Sequence, residues 1–195
     1  NNGVLILNGC EIVVVPNTPP FEIIVNTGGI LSMNSSLTNP SRIFTCGNFM
    51  WPGITNNGGI VIIDAAFARP TEIKDAITAI ESIGGTLKIK SAVFDQNHIA
   101  LDLKNGAFLH SGPQTGDGLM GIDFKCTGGV INKSPHSSEP SLAHIQLTNV
   151  SDIQIGFIGA ANHASYTNNF SDAIYGIKAI NSQATIMNNS FTSIN

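Results

Sequence analysis

Charge is what this sequence most lacks. Asp, Glu, Lys and Arg make up 11% of its 195 residues, against about 25% in an ordinary soluble domain. The formal net charge is −4 and no basic run occurs, which excludes a nucleic-acid binder, because neutralising phosphates needs clustered Lys and Arg. Long apolar runs are missing too. None approaches the ~20 residues of a membrane helix. The opening stretch Val4–Leu7 to Ile12–Val15 is interrupted by Asn8, Gly9, Cys10 and Glu11. It has neither the basic flank nor the small-residue cleavage site of a signal peptide. Cysteines number three. Cys10, Cys46 and Cys126 lie far apart without a Cys-x-x-Cys pair, so no zinc or redox motif is supported. They are expected as buried free thiols, with one disulfide left open in an oxidising compartment. Leu, Lys and Glu, which build helices, are scarce.

What is present is Ile, Val, Asn, Ser, Thr and Gly. Hydrophobic residues reach 42%, too many for a disordered chain. Ile and Val suit a pleated, buried surface, and Asn and Gly suit the left-handed backbone of tight turns. The balance predicts an all-β fold. The chain opens on Asn1 and closes on Asn195 inside a strand–turn pattern, so residues 1–195 are expected to form one domain of a longer protein.

Internal repeats set the architecture. Gly28-Gly29-Ile30-Leu31, Gly58-Gly59-Ile60-Val61 and Gly84-Gly85-Thr86-Leu87 each open an apolar strand on a double glycine, and Gly128-Gly129-Val130-Ile131 is a weaker copy. Asp75-Ala76-Ile77-Thr78-Ala79-Ile80 aligns without gaps to Asp172-Ala173-Ile174-Tyr175-Gly176-Ile177, and the register continues through Ile83/Ile180, Ile89/Ile186 and Phe94/Phe191. Double glycines recur 30 and 26 residues apart. A solenoid places equivalent side chains one above another in this way, about 4.8 Å apart. At roughly 20–30 residues per coil the chain holds about seven or eight coils. Ile99, Leu101 and Leu103 alternate with Ala100, Asp102 and Lys104 as an inward/outward strand. Ile73, Ile77 and Ile80 also have helical spacing behind Pro70, which would give an α+β domain. The repeat at Asp172–Ile177, set among Asn- and Ser-rich turns, favours strand. Pro16–Pro20 is a rigid turn, and residues 110–141, rich in Gly, Pro, Ser and His, read as loops flanking a strand near Met120–Phe124.

Met50-Trp51-Pro52-Gly53-Ile54, the Asp-Ala-Ile segments at 75 and 172, and Asn188-Asn189-Ser190-Phe191 together resemble the right-handed parallel β-helix repeat regions of large exported Bacteroidota proteins, often carried to the cell surface by type IX secretion. The resemblance covers most of residues 42–195. It implies a right-handed parallel β-helix (β-solenoid) at an extracellular or cell-surface location. It says little about activity, since similar coils occur in pectin-degrading enzymes and in adhesins, and fold does not set function.

Polysaccharide lyases and hydrolases on such a scaffold need clustered acids, for calcium or for acid–base work. The aspartates are dispersed: Asp64, Asp75, Asp95, Asp102, Asp117, Asp123, Asp152 and Asp172 contain no Asp-Asp or Asp-x-Asp. Asp75 and Asp172 repeat, so both are expected to cap one turn. Asp102 with Lys104 reads as a solvated pair. His98, His110, His136, His144 and His163 show no metal spacing; His136 is expected in a solvent-exposed loop and His144 pointing outward. No Gly-x-Ser-x-Gly elbow, phosphate loop or Gly-Gly-x-Gly-x-Asp calcium repeat is present, and no Thr-x-Thr row suggests ice binding. The lone Trp51 is expected in the core, fixing the turn at Pro52-Gly53, and Asn188 and Asn189 in an asparagine ladder.

The expectation is therefore a non-catalytic structural or adhesive module, with no catalytic, cofactor or metal residues assigned. Loops 110–141 are the place where a glycan or surface protein would dock, without membrane insertion, and end-to-end assembly or flanking domains of the same chain would cover the solenoid ends. The alternative is a carbohydrate-active or glycan-binding β-helix.

Overall fold

The computed structural model describes residues 3–17, 19–109, 119–156 and 166–194. Among them no α-helix occurs, and none is therefore long and apolar enough to cross a membrane. Strands follow one another in threes. β1 (Val4–Asn8), β2 (Glu11–Val14) and β3 (Glu22–Asn26) precede β4 (Ile30–Asn34), β5 (Arg42–Thr45) and β6 (Trp51–Asn57), then β7 (Ile60–Asp64), β8 (Thr71–Lys74) and β9 (Ala76–Ile83). Next come β10 (Thr86–Asp95), β11 (Ile99–Lys104), β12 (Phe108–Leu109), β13 (Leu119–Lys125) and β14 (Ser141–Thr148). The last are β15 (Ile153–Ile155), β16 (Asn168–Ile180), β17 (Ala184–Ile186) and β18 (Asn189–Ile194). The helical alternative behind Pro70 is replaced by β8 and β9.

All strands belong to one sheet, and each strand pairing is parallel. Each strand pairs with the strand one round later, so the sheet divides into three ladders and curls on itself in a solenoid-like fold. The first ladder stacks Leu7, Met33, Ile63, Ile89, Leu119, Ile155 and Ile186. The second stacks Ile12, Ile43, Ile73, Phe94, Phe124, Phe170 and Phe191. The third stacks Ile23, Ile54, Ile80, Leu101, Ile145 and Ile177. These three rows meet in one continuous core. The four phenylalanines are offset-stacked, with centroids 5.3, 4.7 and 4.7 Å apart, which adds about 0.5–1.5 kcal/mol per pair to their burial.

Corners are made by left-handed residues. Gly28, Gly58 and Gly84 have φ of 81°, 77° and 66° and lead into the first ladder in register, as the double-glycine repeat predicts. A Cβ on Gly85 would lie 2.2 Å from the Asn56 amide, so the second glycine admits a buried polar side chain that donates to Ser82 Oγ and the Thr86 carbonyl. Gly128-Gly129-Val130-Ile131 departs from the pattern. Both glycines have positive φ and no strand follows; the pair reverses a loop.

Layers are covered only by their neighbours. Leu5 in the first round and Ile186 and Phe191 in the last lie on inward rows and are consequently exposed.

Candidate functional site

The corner between the second and third ladders is turned by one residue after β8, Asp75 (φ 62°), and by one in β16, Asp172 (φ 61°). Aspartate tolerates this backbone because its short side chain hydrogen-bonds locally. The two occupy the equivalent corner, as the repeat predicts. After β10 the turn is Gln96-Asn97-His98. After β13 it expands into residues 126–140, which leave the stack and run back across the corners of earlier rounds.

Each step of that excursion is anchored. The buried Gln96 amide donates to the carbonyls of Thr127 (2.6 Å) and Val130 (3.1 Å), and its oxygen accepts from the Asn132 N–H (2.8 Å). Asp95 accepts from the Thr127 N–H and hydroxyl, both at 3.0 Å. Further back, Lys133 places its three ammonium protons on Asp75 Oδ2 (3.1 Å), the Thr45 carbonyl (3.0 Å) and Thr45 Oγ1 (2.8 Å). The Lys133 and Asp75 side chains are only 15% and 7% exposed, so this is a shielded and fully matched pair. The Met50 N–H then donates to the Ser134 carbonyl at 2.8 Å. Beneath the loop Met50, Cys126 and Ile131 form a satellite core, with Ile77 against it. The excursion is thus a clasp spanning three rounds.

Beside the clasp a groove of about 360 Å³ is lined by Arg42, Phe44, Glu72, Lys74, Asp75 and Lys133, among others. Its charges are paired across rounds: Arg42 with Glu11 and Glu72, both at 3.2 Å, and Lys74 with Asp95 at 3.2 Å.

On the return limb the His136 ring lies flat on His98, with centroids 3.7 Å apart and planes 6° apart. His136 Nδ1 is 2.9 Å from Glu139 Oε2. The turn is closed by Ile131 N–H to the Glu139 carbonyl (2.7 Å) and Ser138 N–H to the Ile131 carbonyl (2.8 Å). Burial holds the His98 pKa below the ordinary value, helped by His136 and opposed by Glu139. His98 Nδ1 is buried with no hydrogen-bond partner. Among the described residues His98, His136 and Glu139 are the one group of three His, Cys, Asp or Glu with ligand atoms mutually within 4.8 Å.

The other expected residues are dispersed. Asp64 pairs with Lys88 (3.7 Å) and Lys90 (3.3 Å), Asp123 accepts from Asn169, and Asp152 sits at a left-handed turn. Asp102 does pair with Lys104 (2.8 Å), but it is buried rather than solvated, because Lys104 also bridges to Glu81 (2.6 Å) and Gln146 covers it. His144 points inward, not outward: the imidazole packs near Phe124 and Phe170, and its Nε2 donates to the Ser171 carbonyl at 2.7 Å. Desolvation lowers its pKa, against the raising effect of Ser171 and Asp172. Cys126 is buried and its thiol is pushed up to about 11 by desolvation. Cys10 and Cys46 are free but exposed, since they lie at corners rather than in the interior rows. Trp51 is 1% exposed, in the core as expected, and donates Nε1–H to the Lys74 carbonyl at 2.8 Å; Pro52-Gly53 is not a turn but lies within β6, where the pairing register shifts after Gly53. Asn189 accepts from Asn168 at 2.9 Å in a short ladder. Asp117, His110 and His163 lie outside the described residues, as do positions 110–118 of the expected loop.

Comparison with protein-family models, with curated proteins and with solved structures returns no match. The functional reading therefore rests on geometry.

Proposed function

We propose that this chain is a structural or adhesive β-solenoid module of a secreted or cell-surface protein. In this reading it is a right-handed parallel β-helix of six complete coils and part of a seventh, akin to the repeat regions of exported Bacteroidota proteins. The coil count follows the succession of strand triples, and the right hand follows the strong bias of parallel crossover connections. The clasp at 126–140 is the contact-bearing element.

The observation that carries the reading is the fate of the acids. Asp64, Asp75, Asp95, Asp102 and Glu72 each engage a lysine or arginine in a ladder or in the clasp. Among the described residues no three carboxylates converge at metal-binding distance. These five hold coils together through their cationic partners, an arrangement unlike the open carboxylate cluster of a calcium or paired acid–base site. The scaffold offers instead a rigid, doubly anchored loop projecting from a stiff stack, the arrangement by which repeat proteins present binding surfaces.

One observation favours the alternative of glycan binding. The groove beside Lys133 combines an aromatic edge, Phe44, with paired charges of both signs, Arg42 and Lys74 beside Glu72 and Asp75, a lining that offers apolar contact and hydrogen bonds to a sugar chain. A glycan array and a calcium-supplemented lyase and hydrolase assay on the intact chain test both readings. Expected is glycan or protein capture, lost when residues 127–139 are replaced by a short Gly-Ser linker, with no cleavage. Enzyme-level release of unsaturated or reducing ends refutes the non-catalytic reading.

A further inference from the structure

We propose that His98, His136 and Glu139 form a site for one divalent transition-metal ion of the zinc class, which staples the return limb of the clasp to the β10–β11 corner. The site joins residues far apart in sequence: His98 belongs to the solenoid, and His136 and Glu139 to the excursion. Two imidazoles and one carboxylate are the donor set preferred by zinc and its first-row neighbours, whereas calcium and magnesium take oxygen ligands.

Two observations point to an ion. The ligand atoms lie mutually within 4.8 Å. His98 Nδ1 is buried without a partner, an arrangement that costs free energy unless something accepts or supplies its bond. The rings are parallel, so their in-plane lone pairs run side by side. Coordination at ~2.0–2.2 Å requires His136 to swing out of the stack. It can do so, because it sits on the loop beside the exposed Glu139. Three protein ligands leave the fourth tetrahedral position open to water or to an outside donor.

The inference goes beyond the adhesive reading and stands or falls separately from it. The test uses the full chain carrying Cys10→Ser and Cys46→Ser, which removes the exposed thiols. Zinc chloride is titrated by calorimetry, and melting is followed with zinc, calcium or magnesium chloride. Expected is one zinc ion per chain, with a melting-temperature rise of about 5–10 °C at a hundredfold excess over Kd. Calcium and magnesium have no effect at that concentration. His136→Ala and Glu139→Gln each weaken zinc at least tenfold while leaving metal-free melting nearly unchanged. A His98→Gln chain, provided that it melts cooperatively, loses the site as well. Absence of zinc binding overturns the proposal. So does unchanged affinity in the His136→Ala/Glu139→Gln double variant, which places the ion on other histidines.

Discussion

The corner after β8 and the corner after β13 occupy the same place two rounds apart, yet one is a single residue, Asp75, and the other is a fifteen-residue excursion, positions 126–140. The ladders on either side do not register the difference. Phe94, Phe124 and Phe170 stay stacked before the corner, and Leu101, Ile145 and Ile177 stay stacked after it. A stack held by neighbouring layers tolerates any insertion that returns the chain to the next rung. Specialisation can be added at a corner without rebuilding the core.

The largest effect should come from the feature both corners share. Phe124→Ala removes the centre of the aromatic row just before the excursion and should cost about 3–5 kcal/mol, read from chemical denaturation, with the clasp lost along with the layer. A smaller and asymmetric effect separates the corners. Asn, like Asp, tolerates the left-handed backbone, so Asp75→Asn removes the charge facing Lys133, weakens the acceptor of the Thr45 N–H and hydroxyl, and should cost about 2–3 kcal/mol. Asp172→Asn, with no lysine laid on it, should stay within about 0.5 kcal/mol. Equal losses would mean that Lys133 contributes nothing at the first corner. Gln96→Ala should cost about 1–2 kcal/mol. Its signature is local: amides of 127–132 lose hydrogen-exchange protection while those of β10 and β13 keep theirs.

The smallest effect is on pH dependence. Burial lowers the His144 pKa below its ordinary value of 6.5, so the unfolded chain binds a proton more readily than the folded one. The neutral imidazole's contribution is complete above pH 6.5 and is lost progressively as pH falls below that value. Melting temperature should therefore drop between pH 7.5 and 5.5, and less so in His144→Gln.

Much of the stack was legible in the sequence. The gapless match of Asp75–Ile80 to Asp172–Ile177 reappears in space. Thr78, Ile99, Ala143 and Tyr175 pair in series, as do Ile89, Leu119, Ile155 and Ile186. Apolar positions in a solenoid answer to a single stacked environment, so they keep their spacing. What failed were inferences from two-residue periodicity near corners. There β14 buries Ala143, His144 and Ile145 consecutively, and a neighbouring loop or lysine covers residues that alternation assigns to solvent, such as Asp102. The histidine–glutamate group was not legible at all. Its members meet because Gly128-Gly129 turns the loop back and Gln96 holds it there, and neither carries a spacing signature. The strand near Met120–Phe124 was read correctly. The clasp that follows it was seen only as a composition rich in Gly, Pro, Ser and His.

A pure solenoid is a one-dimensional object whose layers know only the layer above and the layer below. Lys133 breaks that rule by binding Thr45 and Asp75, so a late round is tied directly to rounds two and three steps earlier. In mechanical terms the molecule is a pile of plates with a strap around its middle. Peeling from the β1 end can proceed freely through the first round. It must then break the strap and the separated layers in one event, which makes the middle of the stack a single cooperative block flanked by ends that fray.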